Sequence, residues 1–262
     1  MTTNMHSHWF PIASCSDLPT RHVYQAQLLG REFAVWRADD GYVNVWENRC
    51  LHRGVRLSIG INDGRELRCQ YHGWRYANRT AGCTYIPAHP ADAPAQTICN
   101  NTYPTQEAYG LIWAGEKVRG DVPNLDGFNE YTVLRPIPFN APRDLVIEAL
   151  CKYSFSNSCI TQTNIDSSIT VTSDDGLAVR FFAQPCDSNK TIVRGLLNRE
   201  KVGAERIRLI KYHNSLLQEL RKKIELLAAE LESPAPMIVE INKVPTELSK
   251  LPSTNLHGRS AN

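Results

Sequence analysis

What the chain does not contain narrows its function first. It has no uninterrupted apolar run of about eighteen residues and no basic start followed by an apolar stretch, so neither a membrane span nor a signal peptide is expected. Neither sign of charge dominates: 29 Lys and Arg against 27 Asp and Glu leave a net +2, which provides no basic field for nucleic acid. Histidine is absent from most of the second half, where only His213 and His257 follow His89. The 8 cysteines show no regular disulfide spacing. For Cys15, Cys83, Cys99, Cys151, Cys159 and Cys186 a buried free thiol is the expectation, and with it a reducing compartment, the cytoplasm.

What is present is concentrated between Cys50 and His72. Cys50-Leu51-His52-Arg53-Gly54 and Cys69-Gln70-Tyr71-His72-Gly73-Trp74 each offer one thiolate and one imidazole. This C-x-H and C-x-x-H spacing suits a [2Fe–2S] centre in which two cysteines hold one iron and two histidines the other. Cys50 and Cys69 would take the buried iron, His52 and His72 the outer one. Gly54 and Gly73 follow the histidines, where a tight turn must bring backbone N–H groups close to sulfide. A tetrahedral zinc site also uses two Cys and two His, but such sites usually pair like ligands within a loop, whereas both loops here are mixed.

These two motifs, C-x-H-R-G and C-x-Y-H-G-W, resemble the signature of the Rieske non-haem iron oxygenases, the ring-hydroxylating and demethylating enzymes. The cytochrome bc type is disfavoured, because its extra cysteine is missing from residues 51–55 and 70–74. The resemblance extends from about Trp9 to Gly115.

Around the motifs, residues 23–29, 32–37 and 42–47 read as strands, with turns at Gly30 and at Ala38-Asp39-Asp40-Gly41. Segments 57–61 and 67–69 flank a second turn at Asn62-Asp63-Gly64, and 74–76 leads to a third at Ala81-Gly82. Tyr103-Pro104 and 109–113 look like the closing strands. His6 and His8 fall in a polar, mobile start, and His89 reads as a surface residue among prolines. Residues 1–118 are thus read as an all-β Rieske [2Fe–2S] domain and 119–142, rich in Pro, Asn and Gly, as a linker.

Residues 143–262 read as a second domain. Strands are expected at 144–155, 168–172, 177–184 and 191–197, then a helix over 203–232 whose stripe is Ile207, Ile210, Leu217, Leu220, Ile224, Leu227 and Leu231. Pro234 and Pro236 end it, its basic stretch Arg221-Lys222-Lys223 reads as a solvated face, and residues 253–262 are expected to be disordered. The fold class is α+β, the second part resembling a shortened form of the family's sheet-plus-helix catalytic domain.

The family's mononuclear iron motif, D-x-x-H with a second His shortly after, has no counterpart here. Its place reads Ala149-Leu150-Cys151-Lys152-Tyr153-Ser154-Phe155, without histidine. His213 is read as a helix-surface residue. The resemblance therefore implies a Rieske component that takes electrons from a reductase or ferredoxin and delivers them to mononuclear Fe(II) on a partner chain. That partner, in a trimer-based hetero-oligomer, would hydroxylate or demethylate a small aromatic or N-methyl substrate. Two alternatives stay open. One is a complete oxygenase with an unrecognised iron site built from Cys, Asp and His213 or from residues across a subunit interface, Asp166, Asp174, Asp175 and Asp187 being the carboxylates available. The other is a non-catalytic structural subunit using the long helix as an interface. Arg53 is a candidate for docking an acidic partner or for a local ion pair. Tyr71 and Trp74 either roof the cluster or pack the core. Catalytic residues are not identifiable from sequence.

Overall fold

The computed structural model describes residues 5–89, 97–199 and 203–232. His257, Pro234, Pro236 and the tail 253–262 fall outside these. Ten strands fill the first half: β1 (Phe10–Ser14), β2 (Val23–Leu28), β3 (Arg31–Arg37), β4 (Val43–Glu47), β5 (Ile61–Asn62), β6 (Glu66–Arg68), β7 (Arg75–Ala77), β8 (Cys83–Tyr85), β9 (Thr105–Ala108) and β10 (Leu111–Ala114). They form three antiparallel sheets, ordered β1-β10-β9, β2-β3-β4 and β5-β6-β7-β8. The β2–β3 hairpin turns on Leu29 and Gly30, at φ 51° and 79°. Two left-handed residues are what a two-residue turn needs to follow the strand twist. Trp36 and Trp46 meet edge to face at 5.1 Å and, with Leu57, Leu67 and Tyr76, form the buried floor under Cys50 and Cys69.

The second half holds β11 (Thr132–Val133), β12 (Ile137–Phe139), α1 (Arg143–Leu150), β13 (Cys159–Thr163), β14 (Ile169–Ser173), β15 (Ala178–Asp187), β16 (Lys190–Leu197) and α2 (Gly203–Glu232). One six-stranded antiparallel sheet runs β11-β16-β15-β14-β13, with β12 also on β16. Both helices join its core: Val146, Ala149 and Leu150 of α1 and Leu217, Ile224 and Ala228 of α2 are buried with Phe139, Val171 and Phe181. Among the described residues no helix is long and apolar enough to cross a membrane.

Several expectations need correction. Residues 144–155 are not a strand: Pro142 stands at the N-cap of α1, and Leu145, Val146, Ala149 and Leu150 share a face at helical spacing. A short apolar run does not distinguish the two periods. Within 119–142, β11 and β12 both pair with β16, each too short to show alternation. Strand β13 escaped notice because it is an edge whose residues are mostly exposed. Leu57–Ile59 is a short 3-10 turn, with only Ile61–Asn62 as strand beyond it. The closing hairpin is β9 and β10, joined at Tyr109 and Gly110, both at positive φ. In the start of the chain, of which residues 1–4 lie outside the described ones, His6 Nδ1 is 2.7 Å from Glu116. Cys99 is exposed; Cys83 and Cys186 are buried, and Cys15, Cys151 and Cys159 half-buried. Finally, the α2 stripe is buried only in part, since Ile207, Leu227 and Leu231 are 56%, 40% and 71% exposed. A helix of 30 residues is about 45 Å long, and Leu217, Ile224 and Ala228 are its buried residues in the apolar core.

The halves are joined by polar as well as apolar contacts. Leu29 and Gly30 donate their N–H groups to the carbonyls of Pro185 and Cys186 at 2.8 and 2.7 Å. The buried Arg194 on β16 reaches across, Nη2 to the Ile12 carbonyl at 2.6 Å, while its Nε bonds Gln184 at 2.9 Å. Trp113 meets Phe182 edge on at 5.1 Å.

Candidate metal centre

Two loops, one after β4 and one between β6 and β7, are built alike. Cys50 N–H donates to the Val55 carbonyl and Gly54 N–H back to Cys50, both at 2.8 Å; Cys69 N–H donates to Trp74 at 2.8 Å and Gly73 N–H back to Cys69 at 3.0 Å. Each loop therefore closes on its cysteine, and closure needs a left-handed residue at the same place. Gly54 and Gly73 supply it, at φ 68° and 71°. The first loop is pinned further by Asn48, whose amide pairs with Ser58 side chain and backbone at 3.0 and 2.7 Å. Glu32 ties both flanks through Arg49 and Arg56, and its carboxyl is held below the ordinary range mainly by the Arg56 hydrogen bond.

The donors sort by type and by depth. Cys50 and Cys69 are buried, while the His52 and His72 rings are exposed with centroids 4.7 Å apart. Burial pushes the Cys69 thiol up, whereas the backbone N–H groups of Tyr71 and His72, aimed at its sulfur, pull it down. His52 is held below its usual range by desolvation, then by His72 and Arg53. A neutral imidazole is the form that ligates.

Among the described residues no three His, Cys, Asp or Glu side chains converge on one metal position. A pairwise set is what a [2Fe–2S] cluster asks for, since each iron takes two protein donors and two sulfides. Tetrahedral zinc would draw all four to one point. The residues present fit the cluster.

The neighbours separate the earlier readings. Trp74 stacks on His52, centroids 5.0 Å apart and planes within 5°, and is half-buried. Tyr71 lies against His72 at 3.7 Å but is 58% exposed, so it is not a core residue. Among the described residues no carboxylate pairs with Arg53, which leaves the local ion-pair reading without a partner. Sequence reasoning missed Tyr76: fully buried on β7, its hydroxyl lies 3.2 Å from Cys50 Sγ and accepts the Leu51 N–H at 3.1 Å. Its signal was the alternation of β7, where Tyr76 points inward between two half-exposed neighbours.

The sequence comparisons agree with this geometry. Residues 8–104 match the Rieske [2Fe–2S] domain family. The oxidoreductase NdmD of Pseudomonas putida is 35% identical over 95% of this chain, and the methylxanthine N1-demethylase NdmA of the same species 33% over 40%. Residues 8–104 are thus a Rieske [2Fe–2S] domain. It spans about half the length of NdmD (46%) and 31% of NdmA. The solved structure of NdmA from Pseudomonas putida CBB5 shares the fold, with TM-score 0.69 at 18% identity over 92% of this chain and 85% of that one. These relatives are named oxidoreductases, demethylases and oxygenase subunits.

His213 is not a surface residue. It is 1% exposed on α2, with Nδ1 2.8 Å from the Tyr153 hydroxyl and its ring among Tyr153, Phe155 and Tyr212. It falls in the apolar stripe, three residues after Ile210 and four before Leu217, which is why it is buried. Its Nε2 has no hydrogen-bond partner among the described residues. No second iron-ligand set forms around it there.

Proposed function

We propose that this chain is the Rieske electron-transfer component of an oxygenase system. It takes electrons from a reductase or ferredoxin and delivers them to mononuclear Fe(II) on a partner chain in a trimer-based hetero-oligomer. The partner hydroxylates or demethylates a small aromatic or N-methyl substrate. The observation that carries this reading is the layering of the four donors, two cysteines sealed below and two imidazoles at the surface. When bound, the [2Fe–2S] cluster supplies a single-electron carrier. Cys50 and Cys69 hold the inner iron, and His52 and His72 hold the outer one and offer the edge at which a partner docks. Trp74 and Tyr71 limit water at that edge, and Gly54 and Gly73 set the loop turns.

The same reading divides the chain into a Rieske domain at 1–118, a connection at 119–142 and a second domain at 143–262, and places the protein in the cytoplasm, where its free thiols stay reduced. It is supported by the relative that matches nearly the whole chain, which is named an oxidoreductase, while the demethylase and the chlorobenzoate dioxygenase subunit match less than half.

The test is anaerobic purification, iron and acid-labile sulfide counts, and EPR after dithionite, before and after adding ferrous iron and nitric oxide. Two irons per chain with a Rieske signal and no ferrous–nitrosyl signal is the expected result. A third iron that binds nitric oxide would make the chain a complete oxygenase and overturn the division of labour.

A further inference from the structure

A cleft of about 340 Å³ opens along the seam between the halves, far in sequence from the two cysteine loops. Its walls are the turn at 14–17, the segment joining β11 to β12, and the first turns of α2. Arg135, Arg206 and Lys211 line it, all exposed, and none forms an ion pair with a described residue. Asp17 is the single carboxylate on the wall among the described residues, and it is already faced from behind by the buried Arg194, whose Nη1 lies 3.9 Å from it with no hydrogen-bond partner. Among the described residues the outer cations are thus uncompensated. Between them the wall is apolar: Leu134, Ile210 and Ile207, the last 56% exposed.

Exposed cations on a helix are ordinarily solvated and carry no meaning. Here three come from two separate segments and line one half-open cleft whose volume is at the lower end of small-molecule sites. An apolar wall with a one-sign charged rim recognises a molecule with the complementary division. We propose that this seam cleft binds a small amphipathic organic anion, one or two flat apolar rings carrying a carboxylate, sulfonate or phosphate. The rings lie on Ile207, Ile210 and Leu134, and the anionic group is taken by Arg206, Lys211 and Arg135. Because its walls come from both halves, a bound anion holds α2 against the Rieske domain.

The test is a fluorescence titration of the full chain, cluster intact, with 8-anilinonaphthalene-1-sulfonate. Competitors are 2-naphthoate, 1-naphthyl phosphate and the uncharged 2-naphthamide. Saturable one-site binding is expected, displaced by the two anions and not by the amide. The affinity should fall about tenfold or more in R206E/K211E and separately in R135E, the loss of a charged hydrogen-bond partner. K222E/K223E, on the same helix but outside the cleft, should bind as the parent does, and the visible spectrum of the cluster verifies that each variant is folded. Stronger displacement by the naphthyl phosphate would make the natural ligand a phosphate ester, stronger displacement by naphthoate a carboxylate. Non-saturating fluorescence, equal displacement by the amide, or unchanged affinity in both cleft variants would overturn the proposal.

Discussion

The phenol oxygen of Tyr76 sits 3.2 Å from the sulfur of Cys50 and accepts the backbone N–H of Leu51 at 3.1 Å. A metal-bound Cys50 thiolate has no proton to give, so in that state the Tyr76 hydroxyl would be the donor to the sulfur. Burial keeps the proton on that hydroxyl, because desolvation first and Cys50 second raise the Tyr76 pKa well above its ordinary value. A proton donated to an iron-bound thiolate stabilises the more negative, reduced state. Tyr76→Phe removes that donor with little change of shape. The reduction potential should drop by about 60 mV, the equivalent of one charged hydrogen bond of about 1.4 kcal/mol in a one-electron couple. Protein-film voltammetry would measure it, and an unchanged potential would show that the hydroxyl does not donate to the bound thiolate.

The Tyr153–His213 pair predicts a pH dependence of stability. Burial lowers the His213 pKa from 6.5 to about 4 in the folded protein, while in the unfolded chain it stays near 6.5. Between these values the unfolded state binds more protons, so stability rises with pH. The contribution is complete above about pH 6.5 and is lost as pH falls toward 4, on the order of 2–3 kcal/mol across the window. His213→Phe fits the aromatic surroundings, and its urea-unfolding free energy should decline less steeply between pH 6.5 and 4 than that of the parent. Parallel curves for the two proteins would mean that His213 titrates normally.

Arg194 predicts how the halves depend on each other. It is 2% exposed, and removing its guanidinium strands the Ile12 carbonyl and the Gln184 side chain in the seam. Arg194→Met should destabilise by about 3 kcal/mol, roughly 6–12 °C in melting temperature for a chain of this size. Calorimetry would also show whether the transition splits. A melting temperature within a degree of the parent would mean that the seam tolerates the loss.

How much of this was legible follows from where each signal lies. The donors are separated by one and two residues, so Cys50, His52, Cys69 and His72 can be read from spacing, and their glycines from the turn that must follow. Tyr76 is bound to Cys50 through the fold, across 26 positions, and no local pattern announces that. The α1 segment was ambiguous because its apolar residues suit either period over so short a length, and the helix wins through Pro142 and through burial against Phe139 and Phe181. His213 sits in phase with the stripe Ile210, Leu217 and Ile224, so phase outweighed residue type. Polarity suggested a surface, but Tyr153 supplies the hydrogen bond that lets one nitrogen go inside.

Arg53 follows His52 directly in the exposed loop and bears electrostatically on its ring, and Tyr71 lies beside His72. Leu51 is 45% exposed and Tyr71 58%, so the two loops present two large exposed side chains and, in Arg53, a cation with no ion-pair partner among the described residues. A surface of this kind suits a partner with an acidic rim: the apolar pair would be buried on docking, and the cation would steer encounter without adding much to the final contact. Arg53→Glu should therefore slow reduction of the cluster by an acidic ferredoxin or reductase about tenfold at low ionic strength. The difference should shrink as salt shortens the range of the charge, and nearly vanish at about 0.5 M, where the Debye length is only about 4 Å. Stopped-flow reduction rates across a salt series decide the matter. If the two proteins differ equally at all ionic strengths, Arg53 acts by holding the His52 loop and not by attracting the donor, and the potential of R53E would then move as well.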